Sequence, residues 1–162
     1  MYAAFVGQAA KEHKQSVADL FKFLSQSEGL RATTHARLLQ QRGVTPVVVQ
    51  EEPATVGNVK QTLKMAMSSE NLQYYDLYLK AIKVAQTLGD TTALKQFMLA
   101  DKIDERHREL INDALNSLDD NPKIAFSLCE RCGYIFTGDR SAGCPVCQKY
   151  KDLIGMLPEN SF

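Results

Sequence analysis

Four cysteines near the C-terminal end carry the plainest chemistry in the chain: Cys129-Glu-Arg-Cys132-Gly-Tyr134 and Cys144-Pro-Val-Cys147, separated by the eleven residues Gly133 to Gly143. Two Cys-x-x-Cys pairs a short loop apart have the spacing of a four-thiolate metal site, because each pair forms a knuckle whose sulfurs reach one ion. Gly133 leaves the first knuckle free of Cβ clashes, and Pro145 stiffens the second by fixing φ. Two disulfides or four free thiols are the competing uses of four cysteines. No other cysteine and no export signal accompany them, which favours the metal site. Tetrahedral sulfur coordination suits zinc or iron, and on spacing alone a zinc ribbon is the better reading.

The residues around the cysteines shift that balance. Cys-x-x-Cys-Gly-Tyr, a glycine-containing loop and Cys-Pro-x-Cys together resemble the iron site of rubredoxins, which implies iron at Cys129, Cys132, Cys144 and Cys147, with zinc as a substitute.

The remainder of the 162 residues must position this site and whatever it serves. The chain is long enough for one ordinary domain, or a domain plus a small metal module. Its 19 basic and 19 acidic residues cancel, so there is no electrostatic case for nucleic acid or an anionic membrane as partner. No apolar run approaches the roughly 20 residues of a membrane span, and the N-terminus lacks the pattern of a signal peptide. Cysteines confined to one cluster fit a reducing compartment, and a cytoplasmic protein is expected.

Apolar spacing predicts helices. Residues 2 to about 27 read as one helix, with Val17, Leu20, Phe21 and Leu24 in phase and Gly29 as a stop or kink. Helical spacing continues from Leu30 to about Arg42. Gly43 to Thr55, with Pro46, Val47-Val48-Val49 and Pro53, is extended or looped, long enough for a crossover in a four-helix bundle. A third helix spans about Val56 to Leu88, its stripe made of Val59, Leu63, Ala66, Met67, Tyr74, Leu77, Ala81 and Val84. Gly89-Asp-Thr-Thr92 is a turn able to cap a fourth helix, which runs to about Leu118. Asp119 to Pro122 is a linker, and Lys123 to Leu128 the strand entering the cysteine module. The fold class is mostly α. A helical bundle over 1–120 precedes a small β metal module over 121–162.

Three polar residues fall on the inner stripes: Glu70 on the third helix, and Asp104 and His107 on the fourth. A buried carboxylate without a partner costs several kcal/mol, so such residues need each other or a cation. They admit a hydrogen-bonded polar cluster or a metal site. His13 reads as exposed, Tyr74, Tyr75 and Tyr78 as core or interface, and Arg106-His107-Arg108 as a local basic patch.

The run from Leu63 through Glu70, Gln73 and Tyr74 to Ala100-Asp-Lys-Ile-Asp104-Glu-Arg-His107, followed by the cysteine module, resembles the second half of a rubrerythrin. The resemblance covers residues 60 to 155. It implies a ferritin-like four-helix bundle, a carboxylate-bridged di-iron centre, electron delivery from the cysteine-bound iron, peroxide reduction, and a homodimer served by a redox partner or reductase. The ligand set departs from the family pattern. Gln73 stands for a glutamate, and Asp104 for the glutamate of Glu-x-x-His. The first half allows two alignments. One sets Gln8 against the first glutamate and Ala32-Thr-Thr-His35 against Glu-x-x-His, placing Gly29 in a turn and giving His35 a role. The other sets Glu28-Gly-Leu-Arg31 there, replacing histidine by a cation. With the first, preferred alignment, Glu70, Asp104, His107 and His35 are the candidate second metal site, for one ion or two.

Three functions compete. The leading one is a rubrerythrin-like non-haem iron redox protein, passing electrons from the four-Cys centre to peroxide at the bundle. The second is an electron-transfer or docking protein whose bundle has lost di-iron chemistry. The third is a zinc-ribbon interaction module.

Overall fold

The computed structural model describes residues 1–47, 56–138 and 141–149. Five α-helices and a π-helical segment make a bundle: α1 (Tyr2–Lys11), α2 (Gln15–Gln41), α3 (Val59–Asn71), the π segment (Leu72–Tyr78), α4 (Leu79–Thr87) and α5 (Thr91–Asn116). The antiparallel strands β1 (Phe126–Leu128) and β2 (Ile135–Thr137) follow, paired Phe126 to Thr137 and Leu128 to Ile135, and then the short α6 (Pro145–Lys149). This is a helical bundle with a small cysteine-bearing β module, as the patterning predicts, and of the ferritin-like kind that the resemblance implies. The later part of the expected crossover, 48–55, lies outside the described residues.

The first helix is not one helix. α1 ends at Lys11, and His13 takes φ 58°. The amides of His13 and Lys14 then donate back to the carbonyls of Ala10 and Ala9, a left-handed cap that satisfies the free carbonyls of the last turn. Histidine at that position carries no glycine or proline signal, so periodicity alone runs through it. The turn folds α1 back on α2, where Phe5 meets Phe21 edge-on at 5.3 Å. Gly29, expected to stop or kink the helix, lies within α2.

The expected stripe of the third helix is also shifted. Leu77 and Val84 are exposed, whereas Tyr78 and Ala85 are buried. A π-helical turn carries more residues per turn than an α-turn, so inward positions beyond it fall one residue later. Asn58 caps α3 in a reciprocal box with Gln61, and Asp90 caps α5 by accepting from the Ala93 amide at 3.0 Å.

The cysteine module shares the bundle's core. Ile135 is fully buried with Phe21, Leu24, Leu110 and Ile111, while Val146 packs on Leu99 and Ile103 of α5. Arg106 donates to the Ile135 carbonyl at 3.0 Å, and Ser16 donates to the Pro122 carbonyl at 2.6 Å. Arg108 reaches Asn71 and Tyr75. The expected basic patch is thus divided between two anchoring arginines and a buried histidine.

Gly133 sits where the module touches α2. Its φ is +84°, and a Cβ there would meet Ser27 Oγ at 2.8 Å. Gly133→Ala is expected to destabilise the protein by about 2–3 kcal/mol, combining left-handed strain with the clash. Gly138→Ala, with φ +73° but open space around it, should cost only about 1 kcal/mol. Paired denaturant titrations measure the difference.

Candidate metal centres

The two knuckles bring Cys129, Cys132, Cys144 and Cys147 together with all four sulfurs within 4.8 Å of one another. Cys129 and Cys147 are 3.6 Å apart at sulfur, as are Cys132 and Cys144. Those spacings are too long for a disulfide of about 2.05 Å. They approach the edge of roughly 3.8 Å in a tetrahedron with metal–sulfur bonds of about 2.3 Å. Backbone geometry holds the knuckles. The Gly133 amide donates to the Cys129 carbonyl at 2.8 Å, and the Cys147 amide donates to Cys144 Sγ at 3.4 Å. Hydrogen bonds from the Cys132 and Cys144 thiols lower the Cys129 pKa, whereas burial and the Cys129 thiolate push Cys147 up to about 12. Sulfurs this close cannot all ionise unaided, so the donor set is one that suits a cation.

The second cluster lies inside the bundle. The buried stripe of α2 runs Val17, Leu20, Phe21, Leu24 and then Ser27 and Arg31; that of α3 runs Val59, Leu63, Ala66 and then Glu70. On α5, Ile103, Asp104 and His107 continue the stripe. These polar steps meet at one level, so that ligating atoms of Glu28, Glu70, Asp104 and His107 lie within 4.8 Å of one another. His107 Nδ1 is 3.3 Å from Glu70 Oε1 and 3.3 Å from Glu28 Oε1. The Tyr2 hydroxyl donates to Glu70 Oε1. Burial and the Glu70 charge raise the Tyr2 pKa well above its usual range, so that proton stays.

Glu70, Asp104 and His107 therefore meet as the stripes predict, but His35 does not join them. Its Nε2 lies 3.4 Å from Tyr78 Oη, and its ring packs near Phe97 at 6.0 Å. Glu28 and Arg31 occupy the place expected of Ala32 and His35. The alignment with Gly29 in a turn fails because α2 passes straight through Gly29, which turns Glu28 and Arg31 inward and leaves Ala32 exposed. Periodicity from Val17 through Leu24, extended to Ser27 and Arg31, is the signal that finds them. Tyr2 and Ser27 carry no motif.

Arg31 is buried in the cluster. It pairs with Glu28 and Asp104, donates to Gln73 Oε1 at 3.3 Å, and lies 5.7 Å from the Tyr78 ring centre. Burial opposes ionisation of Glu28, but hydrogen bonds from His107 and the Arg31 guanidinium prevail and hold its pKa near about 2. Even so, Glu70 Oε2 and Asp104 Oδ2 find no hydrogen-bond partner among the described residues.

His107 also faces the cysteine module. Its Nε2 is 2.9 Å from Ser27 Oγ, and Ser27 Oγ is 2.7 Å from the Gly133 carbonyl. A carbonyl only accepts, so the Ser27 hydroxyl donates to Gly133 and its oxygen accepts from His107 Nε2–H. That leaves Nδ1 aimed at Glu28 and Glu70, carrying either a proton or a lone pair for a metal ion. Burial lowers the His107 pKa, yet hydrogen bonds to Glu28 and Glu70 outweigh it and raise the value.

The cluster brings together four donor residues, Glu28, Glu70, Asp104 and His107. A dinuclear carboxylate centre of this bundle type takes Glu-x-x-His from two helices and a Glu from each of the other two. Here the corresponding helices offer Glu28-x-x-Arg31, Asp104-x-x-His107, Glu70 and Tyr2.

His35 retains a measurable signature. Burial and then the Arg31 charge lower its pKa, so the folded state binds this proton less readily than the unfolded state. Its contribution to stability is present at neutral pH and is lost as the pH falls below about 6.5. His35→Gln is expected to flatten that part of the stability–pH curve. An NMR titration of the ring should place its midpoint below the ordinary histidine value.

No protein-family model matches the chain. It is 26% identical over 169 residues to rubrerythrin-1 of Clostridium acetobutylicum, spanning 98% of this chain and 86% of that protein. It is 29% identical to nigerythrin of Nitratidesulfovibrio vulgaris, spanning 93% and 75% of the two chains. A solved structure described as the fully reduced, all-ferrous state of nigerythrin superposes with a TM-score of 0.81 at 25% identity, over 90% of this chain and 72% of that one. The mixed-valence state superposes at 0.78.

Proposed function

We propose that the chain is a rubrerythrin-family protein whose four-Cys iron takes electrons from a reductase or other redox partner and serves peroxide reduction at the buried cluster. Residues 121–162 are the electron port in this reading, and 1–120 the oxidant-facing bundle. The observation that carries it is the hydrogen-bonded bridge from the Gly133 carbonyl through Ser27 to His107, which joins the cysteine knuckle to the cluster within one chain.

Iron supplies the one-electron steps, and its all-ferrous state in the nigerythrin neighbour supports that choice of metal. The protein's own residues do the rest. Two electrons and two protons break the O–O bond of hydrogen peroxide and give two waters, the electrons coming from the reductase. Tyr2 Oη holds a proton beside Glu70, and His107 presents Nδ1 to the same carboxylate. A cavity of about 480 Å³ lined by Met1, Tyr2, Ser25, Glu28 and Gln73 admits a small oxidant to that edge. A homodimer belongs to this reading. Leu72, Leu77, Val84 and Leu88, exposed along the π segment and α4, offer an apolar face to the second copy.

The test is peroxide-dependent NADH oxidation by iron-loaded protein supplied with a reductase. His107→Ala should lower turnover at least about tenfold, the scale of one lost acid–base or ligand group, with the four-Cys visible spectrum intact. Turnover unchanged by that substitution would sink the proposal. Arg31, a guanidinium inside the cluster, favours a second reading, an electron-transfer protein without peroxide chemistry. That reading expects one redox-active iron per chain and no peroxide-dependent NADH loss.

A further inference from the structure

Arg31 is placed as a ligand would be. It stands three residues after Glu28, as His107 stands three after Asp104, and its guanidinium contacts carboxylates from two helices. We propose that this guanidinium is a built-in cation standing where a second metal ion would sit, so that the bundle binds a single divalent ion at Glu28, Glu70 and His107. The inference rests on the cluster being the site named above, but not on any reaction there.

Charge decides the count. Glu28, Glu70 and Asp104 contribute three negative charges and Arg31 one positive, leaving −2 when His107 ligates through neutral Nδ1. One divalent ion cancels that charge. A second would leave +2 in a site where Glu70, Asp104 and His107 are fully buried, and uncompensated interior charge is strongly disfavoured. Arginine cannot shed its proton to make room, and Glu28, Asp104, Gln73 and the Ala100 carbonyl hold it from several sides.

The same cluster asks for the first ion. Glu70 Oε2 and Asp104 Oδ2 are buried without a hydrogen-bond partner among the described residues. The bridge through Ser27 fixes Nε2–H of His107 on the module side and leaves Nδ1 for the ion. Two carboxylates and an imidazole are hard and intermediate donors that suit Fe(II) or Mn(II), whereas the four thiolates suit zinc or iron.

Mn(II) titration separates the sites. Protein reconstituted with one zinc per chain, which the thiolates take first, is titrated with Mn(II), and bound ion is counted from the free-ion EPR signal. Wild type is expected to bind one Mn(II) per chain, Glu70→Gln none, and Arg31→Lys one. Arg31→His, which restores Glu-x-x-His on α2, should bind two and give an exchange-coupled signal. Two ions in wild type, none in wild type, or one in a folded Arg31→His variant would each overturn the proposal. The count is read without turnover. A chain that binds one Mn(II) yet reduces no peroxide loses the proposed reaction and keeps this inference.

Discussion

Cys132→Ser is expected to empty the four-thiolate site and unfold β1, β2 and α6. The module has two three-residue strands, a five-residue helix and few buried apolar side chains, among them Ile135 and Val146. Modules this small depend on their ion, and structural zinc in finger peptides is worth about 10–16 kcal/mol at pH 7. Losing one thiolate forfeits much of that. The bundle should survive, because Phe5, Phe21, Leu24 and Leu63 pack without the module. It should nonetheless melt lower, since Ile135 leaves a shared core. Removing a side chain of that size costs about 2–5 kcal/mol, or roughly 5–15 °C in a chain of this length. Metal content, the visible spectrum and a thermal melt check the outcome together. Full metal content with an unshifted melt would contradict it.

Arg31→Met is the second large effect. The substitution preserves much of the apolar stem but removes the one arginine paired with both Glu28 and Asp104. Breaking a buried ion pair by deleting one partner costs about 3–5 kcal/mol, because the remaining charges are left uncompensated in the interior. Denaturant titration of metal-free protein should show that loss. Added Mn(II) should restore more stability to Arg31→Met than it adds to wild type, since a divalent ion supplies the missing positive charge. A variant as stable as wild type would mean that the carboxylates are held without Arg31.

These effects differ in how visible they are from sequence. The Cys129, Cys132, Cys144 and Cys147 arrangement is encoded locally: two residues between each pair dictate a knuckle, and the intervening loop needs only to return. Glu70, Asp104 and His107 are visible because each keeps helical phase with apolar neighbours, Ala66 for the first and Ala100 and Ile111 for the others. Helical phase is less informative where the helix changes type. The π segment adds its extra residue without any proline or glycine, moving Leu77 outward and Tyr78 inward.

Sequence alone therefore determined the class of the fold, the order of its modules, and the residues whose spacing lies within one knuckle or one helical face. The tertiary structure decided the membership of the bundle cluster. Glu28 and Arg31 enter it, and His35 leaves it, because His13 makes a left-handed turn and α2 then runs through Gly29 without a break. The bridge of Gly133, Ser27 and His107 joins residues 106 and 80 positions apart in the chain. No periodicity reports such a contact. It exists because the module buries Ile135 in the bundle's own core, and that packing is a property of the whole chain.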